Sequence, residues 1–150
     1  MSDTNAPSYR IYLAGPLFSD AERSFNLFLK KELENAGFSV FLPQEDAEDT
    51  TDERNEGGLS SIFSRCSEGV ASSDLIVAVL DGADVDSGTA WEIGYAYALQ
   101  KPVIGLRTDF RICGAKEDVN LMILKSLSGY AGSVSGLIEE VCRVRDSLRE

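Results

Sequence analysis

Four short apolar runs alternate with longer amphipathic stretches along the chain. The runs are RIYLA, FSVFL, DLIVAVL and PVIGL, at residues 10–14, 38–42, 74–80 and 102–106. Strands this apolar are typical of a parallel sheet that helices cover on both faces. The pattern therefore predicts an α/β domain, flavodoxin-like or Rossmann-like, with a doubly wound parallel sheet of about five strands and helices on both faces.

Between these strands, apolar residues recur every three or four positions, as on one face of a helix. The first such stripe lies at residues 21–33, after a Ser19–Glu22 capping box and before Gly37, which predicts a helix between the first two strands. Three further helices are predicted over residues 59–70, 87–100 and 137–148.

Two irregular segments follow strands, the acidic residues 43–58 and residues 107–120. Loops of this length are either functional lids or disordered, and the sequence leaves both alternatives open. In a doubly wound sheet, ligands bind beyond the carboxyl ends of the strands. We therefore expect the site to be formed by residues 15–18, the segment from Pro43 onward and residues 81–92.

Length and charge narrow the class of protein. A chain of 150 residues with 43% hydrophobic content matches one domain, 1–150, in which we expect residues 1–8 to be flexible. The formal net charge of −11 repels phosphate polymers and anionic membranes, so we expect neither among its partners. The N-terminal sequence lacks the pattern of a signal peptide, and no long apolar stretch is present, which predicts a cytoplasmic protein.

The absence of histidine limits the chemistry further. It excludes Ser-His and Cys-His nucleophile systems and histidine-ligated metal sites. The three cysteines, Cys66, Cys113 and Cys142, lie far apart without zinc-site spacing, and we expect them to be reduced. We predict no metal and no cofactor, so that acid–base chemistry falls to carboxylates, Tyr, Lys or Cys.

The densest candidate site is the segment DGADVDSGTAWEIGYAYA, which leads from the third strand into a helix. Gly88 lies in a turn that lets backbone N–H groups approach a ligand, and a helix N-terminus favours a nearby carboxylate such as Asp86 by about 0.3–1 kcal/mol. Glu92 lies between bulky apolar residues, so we expect its carboxyl group to be half buried. Two acids so close have pKa values that are pushed apart, which provides an acid and a base.

A structural interpretation of the same segment stays open. Thr89 and Glu92 have the spacing of a capping box, and Asp84 and Asp86 are common turn residues. Similarly, Tyr12 fits a core aromatic on a strand as well as a ligand contact.

Four other residues are candidates for binding substrate. Gly15 and Pro16 form a turn after the first strand. Gln44 and Asn120 follow the second strand and the second irregular segment, where their amides can hydrogen-bond a base or sugar, or face water.

The segments IYLAGPLFS, SSDLIVAVLDG, DSGTAWEIGYAYALQKPVIGL and VNLM together resemble the nucleoside 2-deoxyribosyltransferase family, over about residues 10–127. The resemblance implies that Glu92 attacks C1′ of deoxyribose, expels the base and holds the sugar until a second base takes it. It also implies that Asp86 binds sugar or base, that Tyr12 orients Glu92 and that Gln44 touches the base. Asn120 would reach the 5′-OH of a sugar in a neighbouring subunit, which implies a homodimer or higher homo-oligomer with shared sites.

One position departs from the family pattern. The family usually carries Asp or Asn eight residues before the aspartate that corresponds to Asp74, and this chain has Cys66 there. Cys66 also fits the apolar stripe of its helix, as a small buried residue. Asp86 or water can protonate the leaving base instead.

Related proteins suggest two alternative functions. One is an N-glycosidase that hydrolyses deoxynucleoside 5′-monophosphates or nucleosides, with water as the acceptor. Asn120 and the acidic residues 44–56 favour a free nucleoside, whereas Arg107 and Arg111 favour a phosphate. The other is a sensor that binds nucleotides without catalysis, since a fold does not establish chemistry. The expected partners are thus a nucleoside or deoxynucleotide and a free nucleobase, purine or pyrimidine.

Overall fold

The chain folds around one five-stranded parallel sheet. The computed structural model describes residues 8–47, 56–112 and 118–150. The sheet has the order β2-β1-β3-β4-β5, which is the flavodoxin-like order. Its strands are β1 (Arg10–Ala14), β2 (Ser39–Phe41), β3 (Leu75–Val79), β4 (Val103–Leu106) and β5 (Gly129–Ala131). The predicted fold class is confirmed. The strand β5 has only three residues and does not correspond to an apolar run in the sequence.

Helices cover both faces of this sheet. They are α1 (Asp20–Asn35), α2 (Pro43–Asp46), α3 (Glu56–Ser72), α4 (Ser87–Ala98), α5 (Leu121–Ser126) and α6 (Val134–Ser147). The capping box at the start of α1 is present, with Ser19 accepting from the Glu22 backbone and Glu22 accepting from the Ser19 backbone. Gly37, directly after this helix, has a φ of +93°, which favours glycine. The helices predicted from spacing are thus confirmed.

The predicted irregular segments contain more structure than expected. Residues 43–58 include α2, which starts at Pro43 because the fixed φ of proline suits a first helical position. Residues 56–58, the end of this segment, belong to α3. Residues 48–55 and 113–117 lie outside the described residues, as do residues 1–7, and the expectations about lids and a flexible start fall on them.

Alternate residues of β1 point to opposite faces of the sheet. Ile11 and Leu13 pack with α1 and α6 in a first core cluster, whereas Tyr12 and Ala14 pack with α3 and α4 in a second. Tyr12 is fully buried and stacks on Phe41, with ring centroids 5.3 Å apart. Tyr12 therefore lies on the α3/α4 face. The sequence alone was compatible with either a core residue or a ligand contact at this position. Within the described part of the chain, no helix is long and apolar enough to span a membrane.

Candidate active site

Asp86 anchors the start of α4 at the carboxyl end of β3. It is the N-cap of the helix, and its carboxylate accepts hydrogen bonds from Thr89 N at 3.0 Å and Thr89 Oγ1 at 3.2 Å. The alternative capping box of Thr89 with Glu92 is therefore wrong, because Thr89 lies inside the helix and is buried. Glu92 is free of any capping role and projects from the second turn.

The Glu92 carboxyl group is half buried, as the sequence predicts. Its Oε2 atom is buried, and so is the Tyr12 hydroxyl, and neither has a hydrogen-bond partner among the described residues. The hydroxyl lies close enough to the carboxyl group for each to alter the pKa of the other. Two unpaired polar atoms thus face each other inside the α3/α4 layer, where an unsatisfied polar group is costly and indicates a functional role.

Burial changes the protonation of Glu92. Burial raises the pKa of Glu92 to about 7, the Tyr12 hydroxyl acts in the opposite direction, and the charge of Asp86 adds to the rise. Burial also raises the pKa of Tyr12 far above its usual range, with smaller contributions from Glu92 and Cys66. Near neutral pH, Glu92 thus exists as carboxylate and as acid in comparable amounts, while Tyr12 keeps its proton.

Cys66 belongs to this group as well. Its side chain is half buried and packs against the second core cluster, in agreement with the structural interpretation. The same packing brings the thiol next to Tyr12 and Glu92, since both affect its pKa, which burial raises. Sequence reasoning assigned Cys66 no role of its own here, because a cysteine in an apolar stripe has the pattern of a packing residue.

Replacing Asp86 by asparagine is expected to lower the pKa of Glu92, because it removes the neighbouring negative charge. Asparagine keeps the N-cap, so stability should change little, whereas Asp86→Ala should cost about 1 kcal/mol of unfolding free energy. The measurement is a carboxyl-carbon NMR titration of Glu92, together with urea unfolding of both variants. An unchanged Glu92 pKa in Asp86→Asn would contradict the electrostatic link between the two acids.

Gln44 lies on the other side of β1 from Glu92, against α1. It is buried, accepts from Asn26 Nδ2 at 3.0 Å and donates to Arg23 O at 3.0 Å. Asn26 is buried too and donates to Pro16 O at 3.0 Å, but its Oδ1 atom has no partner among the described residues. These two amides hold the loop after β1 in place. The sequence signal for this role is a polar residue, Asn26, among the apolar residues of α1.

Gly15 and Pro16 form the loop between β1 and α1. A Cβ atom at Gly15 would lie 3.2 Å from Val79 Cβ, which is a tight contact, so glycine suits the close approach of β1 to β3 there. Pro16 lines a cavity of about 370 Å³ that extends to α1 and to the segment after β4. The loop is therefore fixed by its own packing, at the ligand end of the sheet.

Asn120 and Gly88 lie at helix starts. Asn120 is exposed, and its Oδ1 accepts from Met122 N at 2.9 Å as the N-cap of α5. Gly88 is exposed in the first turn of α4, next to the capping carboxylate of Asp86. Of the predicted site residues, Tyr12, Asp86 and Glu92 thus lie together, whereas the hydrogen bonds of Gln44 and Asn120 go to other parts of the chain.

The acids and arginines around β4 form a separate structural group. Asp81 accepts from Thr108 N and Asp109 N at 2.6 and 2.9 Å, and does not join the cluster at Glu92. Arg107 is buried and donates to Leu80 O at 2.9 Å. Arg111 forms an ion pair with Asp109. The donors that the sequence offered for a phosphate are thus engaged within the protein.

Comparison with known proteins shows the family to which this chain is similar. The model of the nucleoside 2-deoxyribosyltransferase family matches residues 11–137. A conserved protein from Enterococcus faecalis has a similar structure, with a TM-score of 0.76 and 31% identity over 91% of this chain and 99% of that one. A 2-deoxyribosyltransferase from Bacillus psychrosaccharolyticus has a TM-score of 0.76 and 28% identity, over 86% of this chain and 90% of that one.

A CMP N-glycosidase from Clostridium botulinum shares the fold, with a TM-score of 0.56 and 20% identity over 88% of this chain and 97% of that one. No curated protein sequence matches the chain. The match across residues 11–137 covers both the strand that carries Tyr12 and the helix that carries Glu92. The chain accordingly belongs to the nucleoside 2-deoxyribosyltransferase family, whose members are pentosyltransferases or N-glycosidases that act on nucleosides or nucleotides.

Proposed function

We propose that the protein is a nucleoside 2-deoxyribosyltransferase that carries deoxyribose on Glu92 between two nucleobases. The observation that supports this most is the Glu92 carboxyl group itself, with a buried and unpaired Oε2 atom beside the buried Tyr12 hydroxyl. A carboxylate with a free oxygen can form a bond to carbon. Asp86 is less suited, because its carboxylate accepts two hydrogen bonds as a helix cap.

The reaction proceeds in two displacements at C1′. In the first, a Glu92 oxygen bonds to C1′ while the C1′–N bond breaks, and the base leaves with the bonding electron pair and takes up a proton. In the second, a nitrogen of the incoming base bonds to C1′, the glycosyl–Glu92 bond breaks, and the base loses its proton. Asp86 or water exchanges these protons. Tyr12 holds the carboxylate, and its own raised pKa keeps it a hydrogen-bond donor throughout.

The remaining predicted residues take binding roles in this proposal. Gly15 and Pro16 border the base and Gly88 the sugar, at the carboxyl ends of the strands. Gln44 is buried and would act indirectly, because its hydrogen bonds help to fix the loop after β1. The reaction needs no metal and no cofactor.

The direct experiment incubates the protein with deoxyinosine, with and without adenine, and separates the products by chromatography. The transferase predicts deoxyadenosine only when adenine is present. Equal release of hypoxanthine without an acceptor would instead identify a hydrolase. Intact deoxyinosine after prolonged incubation, with binding still measurable, would identify a sensor.

The nucleotide N-glycosidase is the second candidate, and the likeness in fold to a CMP N-glycosidase favours it. It requires a phosphate site. Arg107 donates to main-chain oxygen atoms, and Arg111 pairs with Asp109, so each would have to exchange a protein partner for the phosphate. We therefore expect deoxyinosine to be turned over faster than its 5′-monophosphate, and the opposite order would favour the glycosidase.

We further propose that the outer face of α3 and α4 binds a second copy of the chain. Phe63 and Trp91 are 58% and 48% exposed, and their rings pack edge to face, with centroids 5.5 Å apart. Tyr95 continues this aromatic patch, at 5.2 Å from Trp91. Two chains with a net charge of −11 each avoid repulsion best through an uncharged face, and a symmetric dimer brings the same patch together from both sides.

Replacing Phe63 by glutamate is therefore expected to convert the dimer into monomers, because it places a charge at the centre of the contact. Sedimentation velocity at several concentrations measures this. Phe28→Glu is the matched control, since Phe28 is 47% exposed on α1, at the opposite face of the sheet. A wild-type protein that sediments as a monomer, or a Phe63→Glu variant that stays dimeric, would contradict this interface.

A further inference from the structure

The helix α3 approaches β1 very closely beside Tyr12. A side chain on Gly69 would come within 3.0 Å of both Tyr12 Cε2 and Phe41 Cε1, so glycine is what allows this approach. Cys66 lies three residues earlier, on the same face of the helix. The thiol therefore faces the Tyr12 ring from α3 while Glu92 faces it from α4.

Three groups that can form hydrogen bonds thus meet here. Tyr12 Oη has one proton to donate and room to accept, Glu92 Oε2 accepts, and the Cys66 thiol has one proton. Neither oxygen has a partner among the described residues. Asp86 also acts on Glu92, but its carboxylate accepts from Thr89 N and Thr89 Oγ1.

The order of donation follows from the strength of each group. A carboxylate is a stronger acceptor than a thiol sulfur, and a hydroxyl is a stronger donor than a thiol. The Tyr12 proton therefore belongs on Glu92, which leaves the Tyr12 oxygen to accept from the remaining donor, Cys66. Burial keeps that donor protonated, since it raises the pKa of the thiol more than the Tyr12 hydroxyl lowers it.

We propose that Cys66 is a positioning residue, whose thiol donates to Tyr12 Oη and so directs the Tyr12 proton onto the Glu92 carboxylate. The inference rests on the proposed function only for its catalytic meaning, because Cys66, Tyr12 and Glu92 lie together without substrate. Its effect is to stabilise the ionised form of Glu92, which is the form that attacks C1′. A cysteine in place of an acid also adds no negative charge beside this carboxylate.

The test compares Cys66→Ser, Cys66→Ala and Cys66→Asp by a carboxyl-carbon NMR titration of Glu92 in the ligand-free protein. The Glu92 resonance is assigned by its loss in Glu92→Gln. Alanine removes the donor and should raise the Glu92 pKa by about 0.1 to 0.5 unit, because the Tyr12–Glu92 bond remains but loses the strengthening that the thiol supplies. Serine should keep the wild-type value or lower it. Aspartate should raise it beyond alanine, because it adds a charge and competes for the Tyr12 proton.

Cys142→Ala is the matched control, since Cys142 is a half-buried free cysteine on α6, at the other face of the sheet. It should leave the Glu92 pKa unchanged. Equal shifts in the serine and alanine variants, or no shift in either, would overturn the inference. Because no substrate is present, this result is independent of whether the protein turns over deoxyinosine. If it does, the acidic limb of the pH profile of kcat/KM should move with the Glu92 pKa.

Discussion

Glu92→Gln is expected to lower kcat/KM for deoxyribosyl transfer from deoxyinosine to adenine by at least about a thousandfold. Glutamine has nearly the same size but no anionic oxygen, so the bond to C1′ cannot form. Removal of a nucleophile typically causes a loss of this order or larger. Chromatographic initial rates, with the protein concentration verified, measure the change.

Glu139→Gln provides the matched control for this experiment. It makes the same chemical change on α6, at an exposed position on the opposite face of the sheet. Its activity should equal that of the wild type. A Glu92→Gln variant that retains a tenth or more of the wild-type kcat/KM would exclude Glu92 as the nucleophile.

The same substitution is expected to stabilise the fold above neutral pH. The pKa of Glu92 is about 7 in the folded chain, against an ordinary value of 4.5. Well below pH 4.5 the side chain is neutral in both states, so it contributes no difference. As the pH rises towards 7, the unfolded chain releases the proton first, and the wild type loses stability. Above pH 8 the loss is complete, at about 3 kcal/mol.

Glutamine avoids this loss because it stays neutral at every pH. Urea unfolding of wild type and Glu92→Gln at about pH 4.5, 6 and 8 measures the difference. The variant should gain less than about 0.5 kcal/mol at the lowest pH and about 3 kcal/mol at the highest. A stability gain that is the same at all three values would show that burial does not perturb the Glu92 pKa. The expected result is a functional residue kept at a cost in stability.

The opposite stability and activity effects separate two roles of one residue. If the carboxylate served only to stabilise α4, its replacement would lower the stability of the protein. Activity would then fall only because the fold is less stable. Glu92 is expected to do the reverse. Its burial raises the energy of the charged carboxylate in the folded protein, and the reaction uses that carboxylate.

Much of this architecture was predictable from local sequence patterns. The apolar runs at residues 10–14 and 74–80 match β1 and β3, because a strand buried on both faces must be apolar throughout. Ser19 and Gly37 predicted the ends of α1 through capping chemistry. The strand β5 was not recognised, since three residues at a sheet edge carry too little pattern to distinguish them from a loop.

The site was predictable in part. The half-buried position of Glu92 followed from its apolar neighbours, and Asp86 from its place at a helix start. The grouping with Cys66 did not follow, because it depends on the close approach of α3 to β1 at Gly69, a tertiary contact. Likewise, Gln44 donates to Arg23 O and Arg107 donates to Leu80 O. Each of these partners lies more than twenty residues away in sequence, so no local pattern predicts the bond.

The acidic surface and the aromatic patch give the proposed assembly a physical basis. Repulsion between chains of this charge disfavours contact except where the surface is uncharged. Trp91 lies on that patch directly beside Glu92 in sequence, so a dimer through it would bring two active sites near each other. Asn120 in one subunit and a sugar in the next are then the expected pair.

The central claim is that deoxyribose is carried on Glu92, and a trapped intermediate tests it most directly. The protein is mixed with a 2′-fluoroarabinosyl nucleoside, whose fluorine destabilises the oxocarbenium-like transition state and slows release of the sugar. Peptide mass spectrometry then locates any adduct. We predict one glycosyl group, on Glu92, which is lost when adenine is added. Release of base without an adduct, or an adduct on another residue, would contradict the account.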